Sequence, residues 1–229
     1  MTLPTVTYFD VRARAEPIRL ILEELGVQYD DRQITDQEWS RLRSSTPFGW
    51  LPVYRDGDLE IWQSNAIYRH LARAHDLYGS NEVERIRCDV VEEALADLNT
   101  LIGKAPWRPD FKKTREDFIE HELFPVLDHL ESFLQTNAAG SSFWVGSCLT
   151  FVDLIALSLL DCTGAIFPEA MQGHPGLQEF CDGIAGRPNI AAYLHSDRRP
   201  QGVQYGPDGK INATSVKGWA APIQSDRIN

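Results

Sequence analysis

A strand, a helix and a second strand crowd into the first 34 residues, and that order leaves few topologies open. Thr5-Val6-Thr7-Tyr8-Phe9 is β-branched and aromatic, the composition of a short strand. The loop Asp10 to Ala15 carries Arg12 and Arg14, and Pro17 follows in the first turn of a helix, where its missing N–H costs little. Ile18, Ile21, Leu22 and Leu25 recur at helical spacing until Gly26 stops the run. Gln28 to Ile34 reads as a second strand. A strand–helix–strand unit this short predicts a parallel pair with a right-handed crossover.

The next segment adds a hairpin. After a helix over Asp36 to Ser44, Pro52-Val53-Tyr54-Arg55 and Leu59-Glu60-Ile61-Trp62 flank an Asp-Gly turn. Ser64 is placed to cap the helix that follows, which carries Ile67 and Leu71 on one face. Residues 1–78 therefore read as one β-α-β-α-β-β-α unit, with Gly79-Ser80-Asn81 as its linker. Residues 82–200 read as entirely helical. Glu82 to Gly103 has apolar or small residues at 83, 86, 90, 94, 98 and 101, expected as one buried stripe, and Lys113 to Gln135 is expected as one helix. Thr150 and Asp153 form an N-terminal capping box flanked by Leu149 and Leu154, and Asp153 needs no further role to explain it. Residues 201–229 are rich in Gly, Pro, Asn, Ser and Gln, and an irregular tail is expected.

Charge narrows the partners. A formal net charge of −11 argues against nucleic acid and anionic membrane surfaces, so any anion must bind in a local basic pocket. The longest apolar run, Phe151 to Leu160, carries Asp153 and is too short to span a bilayer. Cys88, Cys148, Cys162 and Cys181 form no CxxC pair and the histidines have no ligand spacing, so no metal is expected. Met1-Thr2-Leu3-Pro4 opens no secretory signal. A cytoplasmic protein with free thiols is the expectation.

Four motifs in order then carry a resemblance: Tyr8-Phe9 ahead of Arg12-Ala13-Arg14-Ala15-Glu16, Pro47-Phe48-Gly49-Trp50-Leu51-Pro52, Gln63-Ser64-Asn65-Ala66-Ile67, and Thr150-Phe151-Val152-Asp153. Residues 1 to about 200 resemble the cytosolic glutathione transferase superfamily in its tyrosine-dependent branch. Ala105-Pro106-Trp107 and Arg198-Arg199-Pro200 bring the wording closest to the sigma class, with pi and mu next. The resemblance implies a thioredoxin-like N-terminal domain, an all-α C-terminal domain, glutathione as co-substrate and a homodimer. It implies a cis Pro52 that turns the backbone of Leu51 toward the peptide, Gln63 and Ser64 on the γ-glutamyl carboxylate, and Trp39 and Arg43 on the glycyl carboxylate. Trp50 stands where a polar residue usually touches a ligand carboxylate, and Asp97 matches a group that reaches the ammonium across the dimer. Tyr8 is the implied catalytic residue, with Arg14 adding positive potential. Phe9, Ala13 and Trp107 would face a hydrophobic electrophile.

Each residue also has a plainer reading. Tyr8 fits a strand core, Ser64 a helix cap, Trp39 an amphipathic helix and Asp97 an exposed helix charge. The implied activity is conjugation of glutathione in detoxification. A prostaglandin-type isomerase, an ether-cleaving enzyme and a non-catalytic glutathione-binding or hydrophobic-ligand protein are the alternatives. A thiol–disulfide oxidoreductase needs a cysteine at the start of the first helix, and Asp10 to Glu16 has none.

Overall fold

The computed structural model describes residues 2–140, 142–205 and 211–214. Strand β1 (Thr5–Tyr8) buries Val6, Thr7 and Tyr8 in succession, the pattern of a strand covered on both faces. Helix α1 (Glu16–Glu24) leads back to β2 (Asp30–Gln33), which pairs with β1 in parallel. Helix α2 (Asp36–Leu42) precedes the hairpin β3 (Val53–Asp56) and β4 (Leu59–Trp62). The hairpin turns at Gly57, whose φ of +56° lies in the left-handed region that glycine enters without a Cβ clash. β3 runs antiparallel to β1, so the sheet order is β2-β1-β3-β4. Helix α3 (Ser64–Ala74) packs Ile67, Tyr68, Leu71 and Ala72 inward. This is the β-α-β-α-β-β-α order read from the sequence, and it fixes where β1 ends relative to α2 and α3.

The second half is helical: α4 (Glu82–Lys104), α5 (Phe111–Phe118), α6 (Phe124–Gln135), α7 (Phe151–Ile166), α8 (Pro168–Gln172), α9 (Pro175–Ala185) and α10 (Pro188–Leu194). Helix α7 is its axis, with every residue from Phe151 to Ala165 buried. Its start is the expected capping box: Asp153 Oδ2 accepts from Thr150 N at 2.6 Å and from the Thr150 hydroxyl at 2.8 Å, while Oδ1 accepts from Trp144 N at 2.8 Å.

Three expectations need correction. The stripe along α4 is only partly buried. Val83, Ile86 and Val90 are 77%, 55% and 50% exposed, and the buried face runs through Cys88, Val91, Glu92, Leu95, Leu98 and Ile102. Apolar spacing marked a real face of α4, but these turns pack on their other side, where Cys88 is fully buried and Arg87 Nε reaches Trp144 O at 2.8 Å. The segment 113–135 is not one regular helix either, because a π turn, Ile119–Leu123, separates α5 from α6. Pro125 cannot donate to the preceding turn, so the ladder widens ahead of it. The tail expected to be irregular carries β5 (Gly202–Tyr205), paired antiparallel with β6 (Ile211–Thr214). Val203 is fully buried and Gly202 O accepts from Arg12 N at 2.9 Å, which ties the strand to the first loop. The rest of the tail lies outside the described residues.

A buried ionic cluster joins the halves. Glu16, at the start of α1, accepts from Arg199 Nε at 2.7 Å, from the Tyr193 hydroxyl at 3.1 Å and from Arg19 at 3.5 Å. Asp161 on α7 accepts from Arg199 at 2.6 Å and from Arg12 at 3.0 Å, and Arg12 Nε also reaches Pro200 O at 3.0 Å. Burial alone would raise the Glu16 carboxyl, but Arg199, Arg19 and Arg12 together bring it below the ordinary carboxylate range. A depressed folded value means that this contribution to stability is present above the ordinary range and is lost as pH falls through the folded value. Glu16→Gln should cost about 3–5 kcal/mol in urea unfolding at neutral pH, the usual effect of uncompensating a buried pair. It should also flatten the acid limb of the stability–pH curve; an unchanged midpoint and an unchanged limb would count against the assignment.

Candidate active site

The carboxyl end of β1 opens onto a row of aromatic rings. Tyr8, buried at 8% exposure, meets Phe9 edge-on with ring centroids 5.6 Å apart. Phe9 meets Trp39 of α2 edge-on at 6.3 Å, an arrangement favoured by ring quadrupoles. Tyr8, Phe9 and Trp39, three of the residues singled out from sequence, therefore share one contact chain between β1 and α2.

Helix α2 is held differently from the rest. None of its residues is buried. Its start is a capping box that sequence reading missed, with Thr35 Oγ1 accepting from Glu38 N at 3.2 Å and Glu38 Oε2 accepting from Thr35 N at 2.8 Å. The Thr-x-x-Glu spacing is a legible signal for it. Backbone and side-chain donors of Thr35 hold the Glu38 carboxyl below its usual value. Arg43 follows α2 in a 3-10 turn, and its side chain packs across Gly49: a Cβ there would lie 3.4 Å from Arg43 Nε. Trp50, next in the chain, is 64% exposed. Leu51 is half-buried and its peptide bond to Pro52 is cis.

At the start of α3 the structure departs from the sequence reading. Gln63, not Ser64, occupies the N-cap position, and its side chain makes no capping bond. β4 ends at Trp62, so a single residue must reverse the chain into the helix, and Gln63 does so with φ 71° and ψ 118°. A non-glycine residue held at positive φ stores strain that the surroundings must enforce. Ser64 is the first helical residue, 4% exposed, with its hydroxyl 3.3 Å from Asn65 Oδ1. Its backbone N–H belongs to the first turn, where donors and the helix dipole favour an anion.

Arg14 lies on the other side of this helix start. It belongs to a 3-10 turn, Ala13–Ala15, and its carbonyl accepts from the buried Tyr68 hydroxyl at 2.6 Å. Ala13, Arg14, Asn65, Tyr68 and Glu92 line a cavity of about 20 Å³ between the sheet domain and α4. Burial raises the Tyr68 phenol, opposed by its hydrogen bond with Ser64 and the charge on Arg14. Asn65, Tyr68 and Glu92 were not singled out from sequence; helix spacing puts Asn65 and Tyr68 on one face, but nothing local pairs them with Glu92. Two expected residues stand apart. Asp97 is exposed and lines a groove between α4 and α6 with Val90, Ala94, Val126 and Phe133, and Trp107 is 57% exposed beyond the end of α4. Among the described residues, no three His, Cys, Asp or Glu side chains gather as a metal site, and no helix is long and apolar enough to cross a membrane.

Comparison with known proteins agrees with this architecture. Residues 4–73 match the family model described as the glutathione S-transferase N-terminal domain, and residues 96–197 match the one described as its C-terminal domain. The chain is 37% identical over 195 residues to a protein of Caenorhabditis elegans named glutathione S-transferase P, covering 85% of this chain and 93% of that one. It is 34% identical over 198 residues to glutathione S-transferase P 1 of Xenopus laevis, covering 85% and 92%. The solved structure of the Onchocerca volvulus Pi-class glutathione S-transferase superposes with a TM-score of 0.78 at 31% identity, covering 83% of this chain and 91% of that one. These relatives carry the label of the second class suggested by the motif wording.

The local prediction concerns α2, which depends on its cap because it has no buried face. Thr35→Ala should raise amide hydrogen exchange across 36–42 by about fivefold, the usual effect of a lost threonine cap. Exchange in α3 and α7 should stay unchanged; equal increases in all three helices would show that the cap does not act locally.

Proposed function

The chain belongs to the glutathione S-transferase family and is an enzyme of that kind, and from this premise we propose that Tyr8 activates the glutathione thiol for attack on a hydrophobic electrophile. The observation that carries the reading is the buried phenol at the carboxyl end of β1, in ring contact through Phe9 with Trp39. Crevices at the carboxyl ends of strands are where such sheets bind ligands. Glutathione lies across the start of α3, its γ-glutamyl carboxylate on the N–H groups of the first turn with Gln63 and Ser64. Its cysteinyl backbone pairs with Leu51 just ahead of Pro52 and β3. The glycyl carboxylate meets Trp39, Arg43 and the indole N–H of Trp50. The close packing of Arg43 on Gly49 supports that grouping.

The chemistry follows from the thiol. A free thiol has a pKa of about 8.5, so only a few per cent is thiolate at neutral pH. A phenol O–H that donates to sulfur favours the charged form, and Arg14 adds positive potential. A shift of about 2 units corresponds to about 2.7 kcal/mol. The thiolate then attacks an electrophile seated against Phe9, Ala13 and Trp107. Tyr8→Phe should raise the pKa of bound glutathione by about 2 units and slow conjugation of an aryl halide about 100-fold at neutral pH. Thiolate absorbance and rates measured across pH check this, and an unaltered profile would remove Tyr8 from the mechanism. An electrophile panel separates conjugation from isomerisation and ether cleavage.

The working unit is a cytoplasmic homodimer. Val83, Ile86 and Val90 form an exposed apolar strip on α4, beside the groove that holds Asp97. Burying that strip against a second copy gives Asp97 access to the partner's glutathione ammonium. Sedimentation at micromolar concentration should report a dimer, and Val90→Glu should yield monomers; a wild-type monomer would exclude this assembly.

A further inference from the structure

Glu92 is a buried carboxylate that the proposed chemistry leaves unused. It stands on α4 at 1% exposure. Its Oε2 accepts from Arg69 Nε of α3, whereas Oε1 is buried without a hydrogen-bond partner among the described residues. Buried oxygens are rarely left so, because they lose water and gain nothing in return. Glu92 lines the 20 Å³ cavity with Arg14, Asn65, Tyr68 and Asn99, a space the size of one water molecule. Arg14 borders the same cavity, and its carbonyl accepts from the Tyr68 hydroxyl at 2.6 Å. A permanently charged residue and a carboxylate with an unpartnered oxygen thus line the same small space.

We propose that Glu92 positions Arg14: one water held in this cavity accepts from the Arg14 guanidinium and donates to Glu92 Oε1, fixing the cation beside Tyr8. The inference rests on the reading that Tyr8 and Arg14 activate the glutathione thiol. It places control of that activation partly in the helical domain. The other charged and titratable groups around Glu92 are Arg69, Glu93, Asp89, Tyr68 and Tyr78. Burial pushes the Glu92 carboxyl up to about 7, opposed by Arg69 and reinforced by Glu93 and Asp89. The bridge is strongest with the carboxylate ionised, since only then are both lone-pair sites of Oε1 open to a donor.

The effect on the thiol separates this role from two simpler ones. Deleting a negative charge acting only through space would lower the pKa of bound glutathione. A merely structural residue would reduce stability and leave that pKa in place. Loss of positioning would raise it, because the cation leaves the sulfur. Glu92→Leu should therefore raise the bound thiol's pKa by about one unit and lower kcat about tenfold. KM for glutathione should stay within about twofold. Glu92→Gln keeps an acceptor oxygen and should restore most of the rate. In an Arg14→Ala background, Glu92→Leu should have no further effect on the pKa.

An unshifted or lowered thiol pKa in Glu92→Leu, or full additivity with Arg14→Ala, overturns the proposal. Tyr8→Phe is measured alongside. If it leaves the thiol unaltered, the reading of Tyr8 fails, and the Arg14–Glu92 link is decided without glutathione. Urea unfolding of Glu92→Ala, Arg14→Ala and the double variant then supports the bridge if the effects are non-additive and refutes it if they add. The same cycle decides the question should Glu92→Leu not fold.

Discussion

The buried carboxylate of Glu16 is the interaction on which the rest of the structure depends. It lies at the amino end of α1 and is reached by Arg199 from the far end of the chain, by Tyr193 of α10 and by Arg19 of its own helix. Asp161 of α7 shares Arg199 with it and adds Arg12. Charges this deep persist only when paired, so the loop from Asp10 to Ala15 cannot move without unpairing them. That loop begins two residues after Tyr8 and contains Ala13 and Arg14. Rigidity at the proposed reacting end of the site is therefore supplied by a cluster outside the residues proposed to meet glutathione.

Local signals were legible in the sequence and long-range ones were not. Thr5 to Tyr8, Pro17, Gly26 and Asp56-Gly57 declare strand, helix start, helix stop and hairpin because each acts within a few residues. Thr150 and Asp153 declare a capping box for the same reason. Arg199 and Glu16 are 183 positions apart, and no periodicity connects them. The α4 stripe failed in a different way. Spacing identifies a face as apolar, but whether Val83, Ile86 and Val90 meet their own chain or something else is a tertiary matter.

The candidate site divides along the same line. Tyr8, Trp39, Arg43, Leu51, Pro52, Gln63 and Ser64 were singled out because they lie in or beside short motifs that carry the family resemblance; local features alone gave only a strand, helices and a proline. Ser64 was assigned the capping position one residue late: the strand was read through Trp62, but nothing in the sequence shows that Gln63 alone makes the reversal, at positive φ. Glu92 was invisible: in sequence it is one of two adjacent glutamates on a charged helix. Its burial, its unpaired oxygen and its closeness to Arg14 exist only once α4 is laid against α3 and the first loop.

The unburied state of α2 gives the proposed cradle two ends of unequal stiffness. The γ-glutamyl half rests on α3, whose Ile67 and Leu71 are locked in the core, whereas the glycyl half rests on a helix tethered by its cap and the Phe9–Trp39 ring contact. If a peptide is held as proposed, its departure would begin at its glycine, with α2 peeling back while the other carboxylate stays in place. The weak end would then set residence time and the strong one recognition. Changes in α2 that alter neither the thiol nor its neighbours can therefore alter turnover wherever product release is slow.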